Sequence, residues 1–206
     1  DGNPEKALRE ASQVLERSYT APFLAHNCME PMNFFADVKA DSARLIGPIQ
    51  TPEALRGSAA AMLNIPEDNI HVDMTRMGGG FGRRLYGNFG LEAAAISQKL
   101  GAPVKLIYTR EDDMTQGTYR PSYTLKYKAA LDADKNLTAF EVQGSGIPSS
   151  PVFANRYPAG TLANYRAENF GIDTNISTGA WRAPRSNFTA GAEQSFIDEV
   201  AEAAGK

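Results

Sequence analysis

The feature that most constrains the fold is the glycine-rich segment 78–84, in which three successive glycines precede Phe81, Gly82 and two arginines. Successive glycines let the backbone pass close to another group with its amide N–H groups turned outward. Between a strand and a helix, such a segment is typical of an anion-binding nest, and equally typical of a tight turn in which the phenylalanine packs. It matches neither GxGxxG nor the end of a Walker loop, so it does not indicate a Rossmann nucleotide site.

The elements around this glycine loop indicate a crossover unit. Residues 69–75 and 104–108 have the composition of short strands, and a helix is predicted between the loop and the second strand. The apolar stripe of that helix consists of Phe89, Ala93, Ile96 and Leu100. A strand, helix, strand order predicts two parallel strands.

The rest of the chain predicts antiparallel hairpins and further helices. Residues 32–38 and 43–49 form one predicted hairpin, and residues 123–131 and 137–142 form another. Helices are predicted at 4–18, at 52–63 with Thr51 as its cap, and at 188–204. A strand is expected at 19–23. The predicted fold class is therefore mixed α/β, with a βαβ-like crossover, antiparallel hairpins and helices packed on the sheets.

Residues 144–162 interrupt this pattern, because they are rich in Gly, Pro, Ser and Ala. They are predicted to be too irregular for a helix or strand and too long for an ordinary loop. We therefore expect the whole chain, 1–206, to be a piece of one domain with a possible sub-boundary near 144–162.

Composition excludes several classes of function. A net charge of -3 with 22% charged residues gives no basic footprint for nucleic acid or an anionic membrane surface. One cysteine, Cys28, and two histidines, His26 and His71, make a metal cluster held by protein ligands unexpected, so any metal should arrive inside an organic cofactor. No apolar run approaches the ~20 residues of a membrane span. The protein is expected to be cytoplasmic, or periplasmic with a targeting segment outside this chain.

Four other segments could carry chemistry. Residues 179–185 contain the lone tryptophan and two arginines, which taken alone predict a surface arginine loop. Gln50 lies between a strand and a helix cap, where its amide could hydrogen-bond in a cleft. In residues 23–31 the histidine and glutamate are predicted to satisfy local backbone groups rather than to act as a nucleophile or metal site. The acids of residues 110–113 predict a helix cap rather than a catalytic pair.

Taken together and in order, these segments resemble the molybdopterin-binding subunit of the xanthine oxidase and aldehyde oxidoreductase superfamily. The resemblance rests on "AHNCMEP", "IQTPEALRGSAAAMLNIP", "MGGGFGRR", "PVKLIYTREDDM", "GAWRAPRSN" and "EQSFIDEVAEAAGK". The double arginine after GGGFG, the "TREDDM" stretch and the "WRAP" residues are most similar to the isoquinoline 1-oxidoreductase beta subunit branch. The resemblance covers almost the whole chain.

The resemblance implies a set of site residues. Gly80, Phe81 and Gly82 match the family's loop against the molybdenum centre, and Gln50 matches a glutamine that hydrogen-bonds an oxygen ligand of the metal. Arg182 matches an arginine that helps to stabilise charge on the substrate. The implied cofactor-binding residues are Gln50, Gly79, Gly80, Phe81, Gly82, Arg83 and Arg182.

One position departs from the purine-oxidising pattern. Where purine-oxidising members carry a substrate-binding glutamate soon after GGGFG, this chain has Arg84 and Leu85. Leu85 and Arg182 are therefore expected in the substrate pocket, and the apolar Leu85 favours an aromatic N-heterocycle or an aldehyde over a purine.

The resemblance also implies an activity and partners. We expect a molybdenum-dependent oxidoreductase that hydroxylates an N-heteroaromatic compound or an aldehyde with water as the oxygen source. The implied cofactor is molybdopterin with molybdenum, in the cytosine dinucleotide form, and a 2Fe-2S cluster is expected on a small iron-sulfur subunit. No catalytic residue is expected among these residues, because the family's glutamate base has no counterpart here. The piece should be inactive without that partner and the remainder of its parent chain.

Two alternatives remain open at this point. The chain could be a non-catalytic binding module that keeps the cofactor-loop fold, in which case the full-length protein would hold no molybdenum. It could also be a nucleotide-binding oxidoreductase domain that uses residues 78–84 as a phosphate nest. The absence of an acidic residue at the end of a following strand disfavours this second alternative.

Overall fold

The computed structural model describes residues 1–153 and 156–206, which divide into two compact units. The first unit comprises Asp1–Leu24, Pro121–Thr178 and Ala183–Lys206, and the second comprises Ala25–Arg120 and Gly179–Arg182. Of the segment expected to be irregular, residues 154 and 155 lie outside the described residues. The sub-boundary near 144–162 stays a prediction.

The helices and strands, in chain order, are α1 (Pro4–Glu10), β1 (Gln13–Ala21), β2 (Asn33–Val38), β3 (Ala43–Gly47), α2 (Pro52–Leu63), β4 (Ile70–Met74), α3 (Asn88–Leu100), β5 (Val104–Ile107), α4 (Arg110–Thr115), β6 (Ser122–Leu131), β7 (Leu137–Ile147), β8 (Asn164–Gly171) and α5 (Ser186–Ala203). Short 3-10 turns cover Glu67–Asn69 and Arg83–Leu85. Among the described residues, none of the helices is both long and apolar enough to span a bilayer.

The sheet of the second unit has the strand order β4-β3-β2-β5. β2 pairs antiparallel with both β3 and β5, so the predicted first hairpin is confirmed. β3 pairs parallel with β4, which makes β4 and β5 parallel at opposite edges of the sheet. The predicted crossover through α3 is confirmed in direction. A second crossover, β3-α2-β4, joins neighbouring strands and was not predicted.

Helix α3 packs on this sheet through a different stripe from the predicted one. Phe89 and Ala93 are buried as expected, but Ile96 and Leu100 are exposed. The buried face instead takes small residues, among them Ser97, whose hydroxyl accepts from the Val38 N–H at 3.0 Å. Close packing of helix on sheet favours small side chains there, and this preference overrides the hydrophobic pattern.

The first unit has a sheet of order β1-β6-β7-β8 covered by α5. The predicted hairpin of β6 and β7 is confirmed, and so is the final helix. The helix predicted at 4–18 is wrong beyond Glu10, because β1 begins at Gln13 and pairs antiparallel with β6 along its length. This tertiary pairing outweighs the local helix propensity.

The segment expected to be irregular begins in a strand. β7 continues to Ile147, so the expectation of no regular structure from residue 144 onward is wrong for its first four residues. β8, which pairs parallel with β7, was also not predicted. Its sequence, NYRAENFG, lacks a clear apolar alternation, and an ion pair of the partly exposed Arg166 with the buried Glu141 at 2.7 Å helps to hold it in place.

Replacement of Phe196 by alanine is expected to destabilise the first unit by about 3 to 5 kcal/mol, because a fully buried aromatic side chain leaves a cavity. Its ring stacks on Tyr127 at 5.2 Å and meets Phe140 edge-on at 5.6 Å. Urea unfolding measures the change. Phe170→Ala, at a side chain that is 54% exposed, is the matched control and should change stability by less than about 1 kcal/mol. Equal effects of the two substitutions would contradict this packing.

Candidate functional site

The glycine loop leaves β4 and enters the 3-10 turn Arg83–Leu85, and α3 begins only at Asn88. The loop therefore does not lie directly at a helix N-terminus, and that part of the anion-nest interpretation is wrong. The second part fits the structure better. The backbone N–H groups of Gly79, Gly80 and Phe81 make no hydrogen bond to any described residue, which leaves three donors without a protein acceptor there.

The glycines are required by the chain's own neighbouring segments. A Cβ at Gly80 would lie 2.7 Å from Gln50 Oε1, and one at Gly82 would lie 2.2 Å from the Ala180 carbonyl oxygen. Gly82 also has a φ of +100°, which side chains rarely adopt. Two remote segments thus pack directly against the loop, each at a position where only glycine leaves room.

The side chain of Gln50 is held in one orientation. Its Oε1 accepts from the backbone N–H groups of Gly82 and Arg84, each at 3.2 Å. Because both partners are donors, the atom that faces them must be the amide oxygen. The exposed Nε2 therefore turns away from the loop as a donor, and no described residue accepts from it.

The fully buried side chain of Arg84 joins the loop to Glu30. Its Nε donates to the Gly79 carbonyl at 2.6 Å, and its Nη2 donates to the Glu30 carbonyl at 2.8 Å and to Glu30 Oε2 at 3.0 Å. Glu30 Oε2 also accepts from the Gly78 N–H at 2.7 Å. Burial lowers the pKa of Arg84. Burial would raise the pKa of Glu30, but the Gly78 N–H, Asn33 and Arg84 outweigh that effect and lower it.

Arg83 also points into the protein. Its Nη1 donates to Asn88 Oδ1 at 2.9 Å, its guanidinium lies 5.8 Å from the Phe89 ring centre, and its Nε is 4.0 Å from Asp113 Oδ1. Both arginine side chains that follow the loop are therefore buried. A contact of Arg83 with the cofactor stays a prediction, and this geometry does not support it.

The segment Gly179–Arg182 lies against the loop. His26 Nε2 donates to the Ala180 carbonyl at 2.8 Å, and the Arg182 N–H donates to the Phe81 carbonyl at 2.7 Å. The exposed Arg182 guanidinium lies 5.7 Å from the centre of the Phe81 ring. Phe81 is 40% exposed and has a φ of +54°, a strained value for a residue with a side chain. Arg182 and the tip of the loop are thus neighbours.

The block 25–31 binds the loop from behind. Besides the contacts of His26 and Glu30, Cys28 Sγ donates to the Gly80 carbonyl at 3.5 Å. Burial raises the pKa of the Cys28 thiol and lowers the pKa of His26, so both groups favour their neutral forms. His26 and Glu30 do bind backbone groups, but these groups are remote in sequence, so the prediction of local partners is wrong. No three His, Cys, Asp or Glu side chains among the described residues could together hold a metal ion.

Two expected capping arrangements have different outcomes. Thr51 precedes α2 as predicted but does not cap it, because its hydroxyl donates to the Leu85 carbonyl at 2.6 Å. The acids after Thr109 do form a helix cap, a capping box with Asp112. The second arrangement confirms the predicted helix cap. The first ties the partly buried Leu85 to the start of α2.

The second unit thus brings together residues expected at the site from three distant parts of the sequence, namely Gln50, Gly79, Gly80, Phe81, Gly82, Leu85 and Arg182. Sequence reasoning missed the residues that hold them: the contact of Arg84 with Glu30, the His26 contact with Ala180, and Tyr86 beside that segment. The one feature of the sequence that could have indicated the contact of Arg84 with Glu30 is the pair of arginines after the glycines.

The sequence model of the molybdopterin cofactor-binding domain family matches residues 1–206. The chain belongs to this family. Membership accounts for the order of the six sequence blocks, and it assigns the glycine loop to a domain that binds molybdopterin.

Two curated relatives match much of this chain. The chain is 32% identical over 174 residues to the membrane-bound aldehyde dehydrogenase [pyrroloquinoline-quinone] of Gluconacetobacter polyoxogenes, a match that covers 84% of the chain and 21% of that protein. It is 35% identical over 138 residues to the isoquinoline 1-oxidoreductase subunit beta of Brevundimonas diminuta, covering 66% of the chain and 17% of that subunit. The chain therefore spans about a fifth of the length of these curated relatives.

A solved structure shows the same fold. Quinoline 2-oxidoreductase from Pseudomonas putida 86 superposes with a TM-score of 0.78 at 22% sequence identity, over 99% of this chain and 28% of that one. The predicted mixed α/β class is confirmed by this likeness and by the two mixed sheets.

Replacement of Glu30 by glutamine is expected to destabilise the second unit by about 1 to 3 kcal/mol at neutral pH, because the buried Arg84 would lose its ion pair. The pKa of Glu30 is lowered on folding, so its contribution is present above the ordinary carboxyl pKa and lost as the pH falls through the lowered value. Urea unfolding at several pH values should therefore show wild type and variant converging in acid.

The matched control is Glu53→Gln, at a carboxylate that is 79% exposed and pairs with Arg56 on the surface. It should change stability by less than about 1 kcal/mol. A stability difference for Glu30→Gln that persists unchanged in acid would show that the ion pair is not its cause.

Proposed function

We propose that this chain holds the molybdenum end of molybdopterin in the large subunit of an oxidoreductase that hydroxylates an N-heteroaromatic compound or an aldehyde. The observation that carries the proposal is the arrangement of donors at the loop. Gln50 presents Nε2 as a donor because two backbone N–H groups occupy its oxygen, and the N–H groups of Gly79, Gly80 and Phe81 have no protein acceptor among the described residues. A molybdenum centre with oxygen and sulfur ligands requires donors of this kind.

Each residue at the site has a defined part in this proposal. Gln50 would orient an oxygen ligand of the metal, and Gly80, Phe81 and Gly82 would form the backbone wall against it. Arg182, fixed beside Phe81, would stabilise negative charge that develops on the substrate. When bound, the cofactor supplies the redox centre that accepts the electron pair. The glutamate base is expected in the remainder of the parent subunit.

The proposal also names partners. The single cysteine is buried against Gly80, so this chain offers no set of thiolates for an iron-sulfur cluster. We therefore propose a small subunit that carries a 2Fe-2S cluster, in addition to the remainder of the parent chain. The cytosine dinucleotide form of molybdopterin is the proposed form. The name of one relative includes pyrroloquinoline quinone, and the cofactor content of the purified protein distinguishes the two possibilities.

The first test is cofactor content. In the full-length subunit purified with its partner, Gln50→Ala and Gly80→Ala should lower bound molybdenum about tenfold, together with the CMP released on acid hydrolysis. A Cβ at Gly80 would displace Gln50, whose side chain can move, so the variant should still fold. Elemental mass spectrometry and nucleotide analysis measure both quantities.

Gly191→Ala is the matched control, because it lies in α5 with open space around it and should leave metal content unchanged. A wild-type protein without molybdenum and CMP, produced in a host that makes the cofactor, would support the binding-module alternative. Binding of NAD or FAD by the 206-residue chain alone would support the nucleotide-binding alternative.

The second test concerns the substrate. Leu85→Glu should raise the ratio of kcat/KM for a purine to kcat/KM for an N-heteroaromatic compound by about tenfold or more, because a carboxylate can pair with purine N–H groups while an apolar side chain cannot. Steady-state kinetics of the full-length subunit with its partner measure the ratio. Leu100→Glu, at an exposed position of α3, is the control. An unchanged ratio in Leu85→Glu would remove Leu85 from the substrate pocket.

A further inference from the structure

Tyr86 follows the 3-10 turn at the exit of the glycine loop and has a fixed orientation. Its hydroxyl oxygen accepts from the Ala180 N–H at 2.6 Å. Gly179 lies against the ring, and a Cβ at that position would be 2.7 Å from Tyr86 Cε2. Two residues of the segment Gly179–Arg182 therefore hold an aromatic side chain that is still 47% exposed.

The bond to Ala180 determines what the Tyr86 hydroxyl can still do. A phenol has one donor and can also accept, whereas a backbone N–H can only donate. The Ala180 contact thus uses the acceptor and leaves the O–H hydrogen free. Tyr86 makes no second hydrogen bond to the described residues, so no acceptor among them uses its donor.

The neighbours of Tyr86 are the residues proposed for the substrate pocket. Leu85 precedes it directly, and Ala180, to which it is bonded, lies two residues before Arg182. The Arg182 backbone is in turn bonded to Phe81, whose ring is also exposed. An apolar side chain, two exposed aromatic rings, the Arg182 guanidinium and the neutral donor of Tyr86 are a suitable lining for a flat aromatic ligand with an acceptor atom.

We propose that Tyr86 is a substrate-contacting residue whose O–H donates to an acceptor atom of a neutral aromatic ligand, such as a ring nitrogen or a ring carbonyl oxygen. The inference rests on the proposed function, because it takes this surface as the substrate pocket. On this proposal Tyr86 determines specificity among aromatic ligands. Ligands that have an acceptor atom opposite the Tyr86 O–H bind more tightly than ligands of the same shape that lack one. A site that presents a hydrogen-bonding group discriminates strongly in this way.

The test compares two ligands in two variants of the full-length subunit with its partner. The ligands are a bicyclic aromatic lactam, which resembles a hydroxylated product and offers a carbonyl acceptor, and the carbocyclic hydrocarbon of the same ring size. Isothermal titration calorimetry measures their dissociation constants without turnover. Tyr86→Phe should weaken the lactam about tenfold and change the hydrocarbon by less than about twofold.

Tyr119→Phe is the matched control. The Tyr119 hydroxyl donates to the Met114 carbonyl at 2.9 Å, and the Tyr119 carbonyl accepts from the Gly179 N–H, so this residue supports the same segment from within the protein. Its loss should affect both ligands equally or neither. Equal weakening of both ligands in Tyr86→Phe would show that Tyr86 only holds the segment, and this result would overturn the proposal. Unchanged binding of both, or a wild type that does not prefer the lactam, would overturn it too.

The molybdenum and CMP content of the same wild-type preparation separates the two claims. If both are absent, the proposed function fails whatever the ligands do. If both are present and the lactam preference does not depend on the Tyr86 hydroxyl, the proposed function stands and the role of Tyr86 is wrong.

Discussion

The buried guanidinium of Arg84 is the interaction on which the candidate site depends. Removing a cation from water is costly, and a buried cation is tolerated only when its hydrogen bonds are satisfied. Arg84 satisfies them with the carbonyls of Gly79 and Glu30 and with the Glu30 carboxylate. The loop and the block 25–31 are therefore bound through one group, and neither can move without exposing or orphaning that charge.

Close packing by other segments of the chain explains why the loop contains glycine. The close approach that the glycines permit is made first to the chain itself, to Gln50 at Gly80 and to Ala180 at Gly82. Packing from those sides fixes the loop in a conformation in which three N–H groups have no protein partner among the described residues. A preorganised binding site requires a loop that neighbouring segments hold rigidly and that keeps hydrogen-bond donors free for the ligand. Three of the ordered sequence blocks supply supports of this arrangement: the block 25–31 through Glu30, the block that begins before α2 through Gln50, and the segment Gly179–Arg182 through Ala180.

The predictions from sequence succeeded where the pattern is local. The hairpin of β6 and β7 alternates clearly, α2 has a proline at its first position, and α5 has a continuous apolar face, so each could be recognised without knowledge of its partners. The predictions were wrong at β1 and β8, because pairing with a strand that is remote in sequence determines these two strands. At the site, the glycine loop and Gln50 were recognised from the sequence itself, and the family resemblance implied their roles. The contact of Glu30 with Arg84 joins residues 54 positions apart, and spacing carries no information about such a pair.

The most direct test of the central claim is a crystal structure of the full-length subunit purified with its partner. The claim predicts a molybdenum centre at the glycine loop, with Gln50 Nε2 hydrogen-bonded to one of its ligands and the Gly80 and Phe81 backbone against it. A loop that is covered by a protein segment or a nucleotide, with molybdopterin absent or bound elsewhere, would contradict it.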